Sequence, residues 1–154
     1  MKTMTLLAVS ALGSAMIAAN VAAAGGSVTG TMPVTATAID SCSIGTPTTM
    51  AFGLVNPIAP SSNADTTATA AVTCTNTTPY LVAVAGGALG AGGFTYSVYS
   101  DSGRTTLFPV SGGAKTLTGT GSAQTVTMYG RIALPQGSVV PGSYSTTTAV
   151  LVEW

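Results

Sequence analysis

Apolar or small residues alternate with hydroxyl-bearing residues between positions 27 and 38. Successive side chains of a strand point to opposite faces, so this pattern predicts a long extended segment with one apolar face. A helix is disfavoured because Thr, Val and Gly all lower helical stability. Pro33 has no backbone N–H to donate, which indicates a sheet edge or a local break. The residues in the apolar phase are Val28, Gly30, Met32, Val34, Ala36 and Ala38.

Short strands are also predicted along the rest of the chain, separated by turn signals such as Asn56-Pro57 and Pro141-Gly142. The predicted strands are 49–54, 67–75, 80–84, 94–99, 105–110, 124–133 and 143–153. In the last strand the even-numbered residues share a face, and apolar character grows toward Trp154, so we expect this strand to join the core. Many short strands without a helical period predict an all-β sandwich or barrel.

Residues 1–24 have the makeup of a secretory signal peptide, with Lys2, an apolar stretch at 6–19 and three alanines at 22–24. We expect the mature chain to begin at Gly25 or within a few residues of it. The alternative is an uncleaved membrane anchor, which is disfavoured because the apolar stretch is short for a span of about 20 residues. The remainder, 25–154, is long enough for one domain with a modest core.

Beyond the leader the chain carries three cationic and four acidic residues, a net charge of −1. Nucleic-acid binders concentrate basic residues, so that class of partner is not expected. So little charge is unusual for a freely soluble monomer, because charge keeps surfaces apart. The composition therefore predicts a surface that is covered by a partner.

The sequence contains few residues that could carry out catalysis. The chain contains no His, so the usual base beside a Ser or Cys nucleophile is absent. We interpret Asp65 and Asp101 as turn or cap residues rather than a carboxylate pair. The glycine-rich stretch 86–93 lacks the Lys-Ser/Thr of a phosphate loop and predicts a hairpin connection. We expect neither an enzyme nor a cofactor.

Cys42 and Cys74 are the only cysteines of the chain. Two cysteines without His cannot supply the usual four ligands of a zinc site. In an exported protein the pair predicts one structural disulfide, the alternative being two unpaired buried thiols. The sequence Asn76-Thr77-Thr78 matches an N-glycosylation acceptor, a short motif that we interpret as chance.

Several segments together resemble the Spore Coat Protein U domain, which includes the subunits of archaic chaperone-usher pili. The similarity covers essentially the whole chain after the leader. The segments are TGTMPV at 29–34, SCSI at 41–44, MAFG at 50–53, VTCT at 72–75, YSVYSD at 96–101, VTMYGRI at 126–132 and PGSY at 141–144.

The resemblance implies an immunoglobulin-like β-sandwich that lacks its last strand, preceded by an N-terminal donor-strand extension. In this family a periplasmic chaperone fills the resulting groove, and the extension of the next subunit later replaces it, which is donor-strand complementation. Carried onto this chain, the extension is 25–38 and the pilin domain is 39–154. Cys42 and Cys74 match the family disulfide.

The resemblance also implies roles for particular side chains. The donor strand would present Val28, Gly30, Met32, Val34 and Ala36, with Gly30 allowing close approach of the backbone. The acceptor groove and chaperone-binding edge would include Val150, Val152 and Trp154. For each apolar residue the alternative is ordinary packing in the domain's own core.

The leading hypothesis from the sequence is a shaft subunit of a surface pilus that serves adhesion and biofilm formation. Its expected partners are identical or related pilin subunits, a periplasmic chaperone and an outer-membrane usher. The alternative hypotheses are a secreted spore-coat or matrix protein of the same fold and a carbohydrate-binding module.

Overall fold

The computed structural model describes residues 25–59 and 62–154. The predicted signal peptide lies outside these residues. The chain divides after Ala36, and the segment 25–36 is described by itself. That segment forms no helix or strand, and its side chains are exposed.

The described residues are all-β. They contain eight strands and no helix, and thus no helix that could span a membrane. The strands are β1 Cys42–Ile44, β2 Ala64–Cys74, β3 Pro79–Val84, β4 Gly87–Ala88, β5 Thr95–Tyr99, β6 Leu117–Thr118, β7 Gln124–Ile132 and β8 Val150–Glu153.

The strands form an immunoglobulin-like β-sandwich, as predicted. One sheet has the order β1-β2-β7-β5-β4 and the other has the order β6-β3-β8, with antiparallel pairing throughout. Ala64 pairs with Ile132 at one end of the first sheet, and Cys42 pairs with Cys74 at the other. We call the second end the disulfide end.

The core follows from the alternation of small and apolar side chains in β2 and β7. Ala68, Ala70 and Val72 of β2 are buried, as are Met128 and Ile132 of β7, while their odd-numbered neighbours face outward. After the exposed Pro79, β3 instead is a continuous run of buried residues, which fits a strand covered on both faces. Its outer face is covered by the segment around 109–113: the Val84 amide donates to the Pro109 carbonyl, and Leu81 lies against Gly113.

Three predicted strands differ from the structure. Residues 49–54 form no strand, and of 143–153 only Val150–Glu153 does. Among the residues that the structure describes, no neighbouring backbone pairs with 49–54 or with 143–149. Residues 105–110 form only an isolated bridge between Tyr99 and Leu107, because the Asp101 carboxylate accepts the amide protons of Thr105 and Thr106.

The glycine-rich stretch 86–93 is a hairpin connection, as predicted. β4 pairs with the start of β5, and the Leu89 amide donates to the Phe94 carbonyl at 2.8 Å. The two-residue strands β4 and β6 were not predicted, since two residues are too short to show a period.

Candidate interaction groove

A groove opens into the sandwich between the segments 47–55 and 142–150. It consists of two adjoining cavities of about 260 and 500 Å³. Thr49, Met50, Phe52, Leu89 and Thr146 line both cavities, which makes the opening continuous. We refer to these two segments as the walls of the groove.

The floor of the groove is the hydrophobic core itself. Ala68, Val84, Val98 and Met128 line the first cavity, and each is almost fully buried. Phe94 and Ile132 line the second cavity. An apolar chain laid in the groove would therefore contact side chains from both sheets.

The walls present backbone groups without backbone partners. On the first wall, the last backbone–backbone hydrogen bond joins the Thr48 amide to the Thr69 carbonyl at 2.8 Å. Within the described residues, no backbone–backbone hydrogen bond involves 49–55. The second wall likewise makes none over 142–149, before β8 pairs with β3. Unpaired backbone groups along an extended segment are a template for another strand.

Aromatic contacts hold each wall against the floor. Phe52 of the first wall lies 6.1 Å from Tyr96, measured between ring centroids. Tyr144 of the second wall lies 6.1 Å from Phe94 in an edge-to-face arrangement. Such pairs contribute about 0.5–1.5 kcal/mol beyond the area they bury, so both walls are held in place while the space between them stays open.

Gly130 of β7 makes room for the first wall. Met50 and Phe52 lie directly over it, and a Cβ at this position would collide with the sulfur atom of Met50. Both side chains are half-buried and pack against the core. A larger residue at 130 would push the wall outward or into the groove.

The structure separates the three residues predicted for the acceptor edge. Val150 lines the first cavity. Val152 is half-buried against the core in β8 but lines neither cavity, and Trp154 follows β8 and is half-exposed. Val28, Met32 and Val34, predicted for the donor strand, are exposed, as are Gly30 and Ala36.

The first wall was missed as a site by sequence reasoning. A strand was predicted over 49–54, but nothing local showed that Met50 and Phe52 cover Gly130. On the second wall, Tyr144, Thr146 and Thr148 line the groove with Val150. Their shared phase with Val150 in the sequence was the signal for this face.

A scan against protein-family models matches the Spore Coat Protein U domain over residues 28–151. The chain belongs to the Spore Coat Protein U family. This family includes the subunits of archaic chaperone-usher pili, so the chain is a surface-associated structural protein of the pilin or spore-coat type. A search of the curated proteins found no match.

The match to the Spore Coat Protein U domain begins at Val28 and ends at Leu151. It therefore includes the segment 28–36 as well as both walls of the groove. The alternating segment is part of the family's pattern, and the family assignment does not rest on the sandwich alone.

The start of the sandwich is held by the disulfide and by hydrogen bonds. Cys42 and Cys74 form the predicted disulfide bond. Beside it, the Thr78 hydroxyl donates to the Asp40 carboxylate at 2.7 Å, and the Thr75 amide donates to the Ser41 carbonyl at 2.9 Å. Residues 40–42 are therefore anchored at the disulfide end.

The same contact bears on the motif Asn76-Thr77-Thr78. Thr78 is almost fully buried, and its hydroxyl is bonded to Asp40. Asn76, the residue to which a glycan would be attached, is exposed, so the interpretation of this motif as chance stays a prediction.

An ion-pair cluster lies on the outer face of the larger sheet. Arg131 donates two hydrogen bonds to Asp65 at 2.8 and 2.9 Å, and Arg104 lies 3.4 Å from the same carboxylate. Arg104 also donates to the carbonyls of Gly130 and Thr66. The hydrogen bond from Arg131 lowers the pKa of Asp65, and the charges of both arginines add to this effect.

The other carboxylates also have structural partners. The Thr106 amide, followed by the amide and hydroxyl of Thr105, lowers the pKa of Asp101 through hydrogen bonds. Glu153 accepts a hydrogen bond from the Gly112 amide at 2.8 Å. Among the described residues no group of three or more His, Cys, Asp or Glu is placed to hold a metal ion. The carboxylates of this domain therefore act as ion-pair and turn-forming groups.

Proposed function

We propose that the chain is a structural subunit of an archaic chaperone-usher surface pilus that serves adhesion and biofilm formation. Subunits polymerise by donor-strand complementation: residues 27–38 of one copy enter the groove of another. The observation that carries this proposal is an apolar groove whose two walls have no backbone partners over 49–55 and 142–149.

The segment 28–36 has the length and pattern that the groove needs. It has nine residues, as does the wall 142–150, and nine extended residues span about 27 Å. Its apolar side chains recur at every second position, so all of them can face the floor. They are exposed before assembly, and burying them is the main favourable contribution to docking.

Pro33 is compatible with this role. Neighbouring residues of a strand direct their N–H groups to opposite sides, so residues 28, 30, 32, 34 and 36 can all bond to one edge. When these residues pair with 142–150, the N–H that Pro33 lacks would have pointed toward 47–55, in the other layer. The ladder along 142–150 is then complete despite the proline.

The open groove also supports the proposed partners in secretion. An apolar groove beside an unpaired sheet edge promotes aggregation when it is exposed. A periplasmic chaperone that adds a strand to the edge would prevent this, and an outer-membrane usher would exchange it for the next subunit.

Deletion of residues 25–36 tests the proposal. The truncated chain should be recovered from the periplasm bound to its chaperone, but electron microscopy of sheared cell surfaces should show no fibres. The matched control replaces Thr29 and Thr31 by Ser, which alters only the polar phase and should leave fibre yield unchanged. Normal fibres from the deletion variant would show that the segment is not the donor.

A further inference from the structure

One end of the groove is bordered by exposed apolar side chains. Leu54, Ile58 and Val140 are 105, 69 and 66% exposed, and we call this set the far mouth. The two loops that carry them are joined by a hydrogen bond of 2.7 Å from the Gln136 amide to the Pro57 carbonyl. Leu54 itself lines the second cavity.

The far mouth also lacks charge. Neither 53–59 nor 133–143 contains an Asp, Glu, Lys or Arg residue. Surface loops with exposed aliphatic residues and no charge resemble the centre of a protein–protein interface, where charged residues are depleted.

The direction of the donor follows from the walls. Residues near 47 lie beside those near 150, and residues near 55 lie beside those near 142. A donor that pairs with 142–150 extends the antiparallel sheet β6-β3-β8, and antiparallel pairing places its residue 28 beside Val150. Its residue 36 then lies beside Gly142, so the donor leaves the groove at the far mouth.

The connection between the donor and its own domain is short. Only residues 37–39 separate Ala36 from Asp40, which is anchored to Thr78 at the disulfide end. Four Cα–Cα steps cover at most about 14 Å. The disulfide end of the incoming copy must therefore lie within about that distance of the far mouth.

We infer that, in the fibre, the disulfide end of each subunit covers the far mouth of its neighbour, with Ile39 packed against Leu54, Ile58 and Val140. The occupant is a second copy of this chain. Ile39 is 76% exposed within the single subunit, so this contact would bury it together with the far mouth. The inference rests on the proposed polymerisation and adds the face on which successive domains meet.

Cross-linking in assembled fibres tests this contact. The full chain carrying Ile39→Cys and Val140→Cys is assembled on cells, and sheared fibres are treated with a short bis-maleimide reagent, which does not react with the native disulfide. A ladder of covalent oligomers on a denaturing gel is expected. The comparison variant carries Ile39→Cys and Pro47→Cys, which probes the opposite end of the groove and should give no ladder. All three positions are exposed, so folding should be unaffected.

The outcomes separate this inference from the proposed function. If fibres form but give a ladder only with the Ile39→Cys and Pro47→Cys pair, or with neither pair, the inferred contact is refuted while the polymerisation proposal stands. If the unmodified chain forms no fibres at all, the polymerisation proposal fails and this contact fails with it.

Discussion

Replacing Met32 by alanine is expected to weaken each junction between subunits. Met32 is 80% exposed in the single chain, so nearly its whole side chain would be newly buried in the groove of a neighbour. Truncating a buried Met to Ala costs about 2 kcal/mol or more from lost burial and the cavity left behind. Since about 1.4 kcal/mol corresponds to a factor of ten, dissociation of a junction should be about 30-fold faster.

The assay is the release of monomers from sheared fibres in urea, followed over time on a native gel. Thr31→Ala is the matched control, because Thr31 is adjacent, exposed and in the polar phase. Its effect should remain below about threefold, as for a surface substitution. Equal release rates for the two variants would refute the assignment of the even-numbered residues to the groove.

Two further predictions concern the domain itself. The disulfide closes a loop with a sequence separation of 32, so removing it should lower the free energy of unfolding by about 4 kcal/mol and reduce the periplasmic yield. In chemical unfolding, Cys74→Ser should lose more stability than Cys42→Ser, because Cys74 is fully buried. Arg131 lowers the folded-state pKa of Asp65 below 3.8, so this carboxylate stabilises the fold above that pH and its contribution is lost as the pH falls through the folded pKa. In thermal melts, the unmodified chain should therefore melt at a higher temperature than Asp65→Asn at neutral pH, and this difference should shrink below pH 3.8. A difference that stays constant with pH would contradict the ion-pair assignment.

Turn signals in the sequence placed the strands that lie between a core and a surface. β2 and β7 were predicted within a few residues, and in each strand burial alternates along the chain. Alternation reports which face is buried, but it does not report whether a neighbouring backbone is present. Residues 49–54 and 143–149 alternate in the same way and yet have no ladder, so the sequence alone overstated their pairing.

Long-range contacts account for the parts of the candidate site that the sequence did not reveal. Met50 and Phe52 form a wall because Gly130, about 80 positions away, leaves them space. Leu54, Ile58 and Val140 lie in turn-rich segments far apart in the sequence, and only the fold brings them to one end of the groove. In contrast, the resemblance to the Spore Coat Protein U domain named Val150 for the acceptor edge, and Val150 lines the first cavity.

Backbone amide exchange along residues 143–149 tests the central claim most directly. Hydrogen exchange is measured by mass spectrometry on the full chain, once as the chaperone-free subunit and once in assembled fibres. In the subunit these amides have no backbone partner, so they should exchange rapidly. In fibres, a donor strand paired with this edge should slow exchange of the alternate amides that face it, those of residues 144, 146 and 148, by several orders of magnitude, while the amides of β2 change little. Rapid exchange of the 144, 146 and 148 amides in intact fibres would contradict donor-strand complementation at this groove.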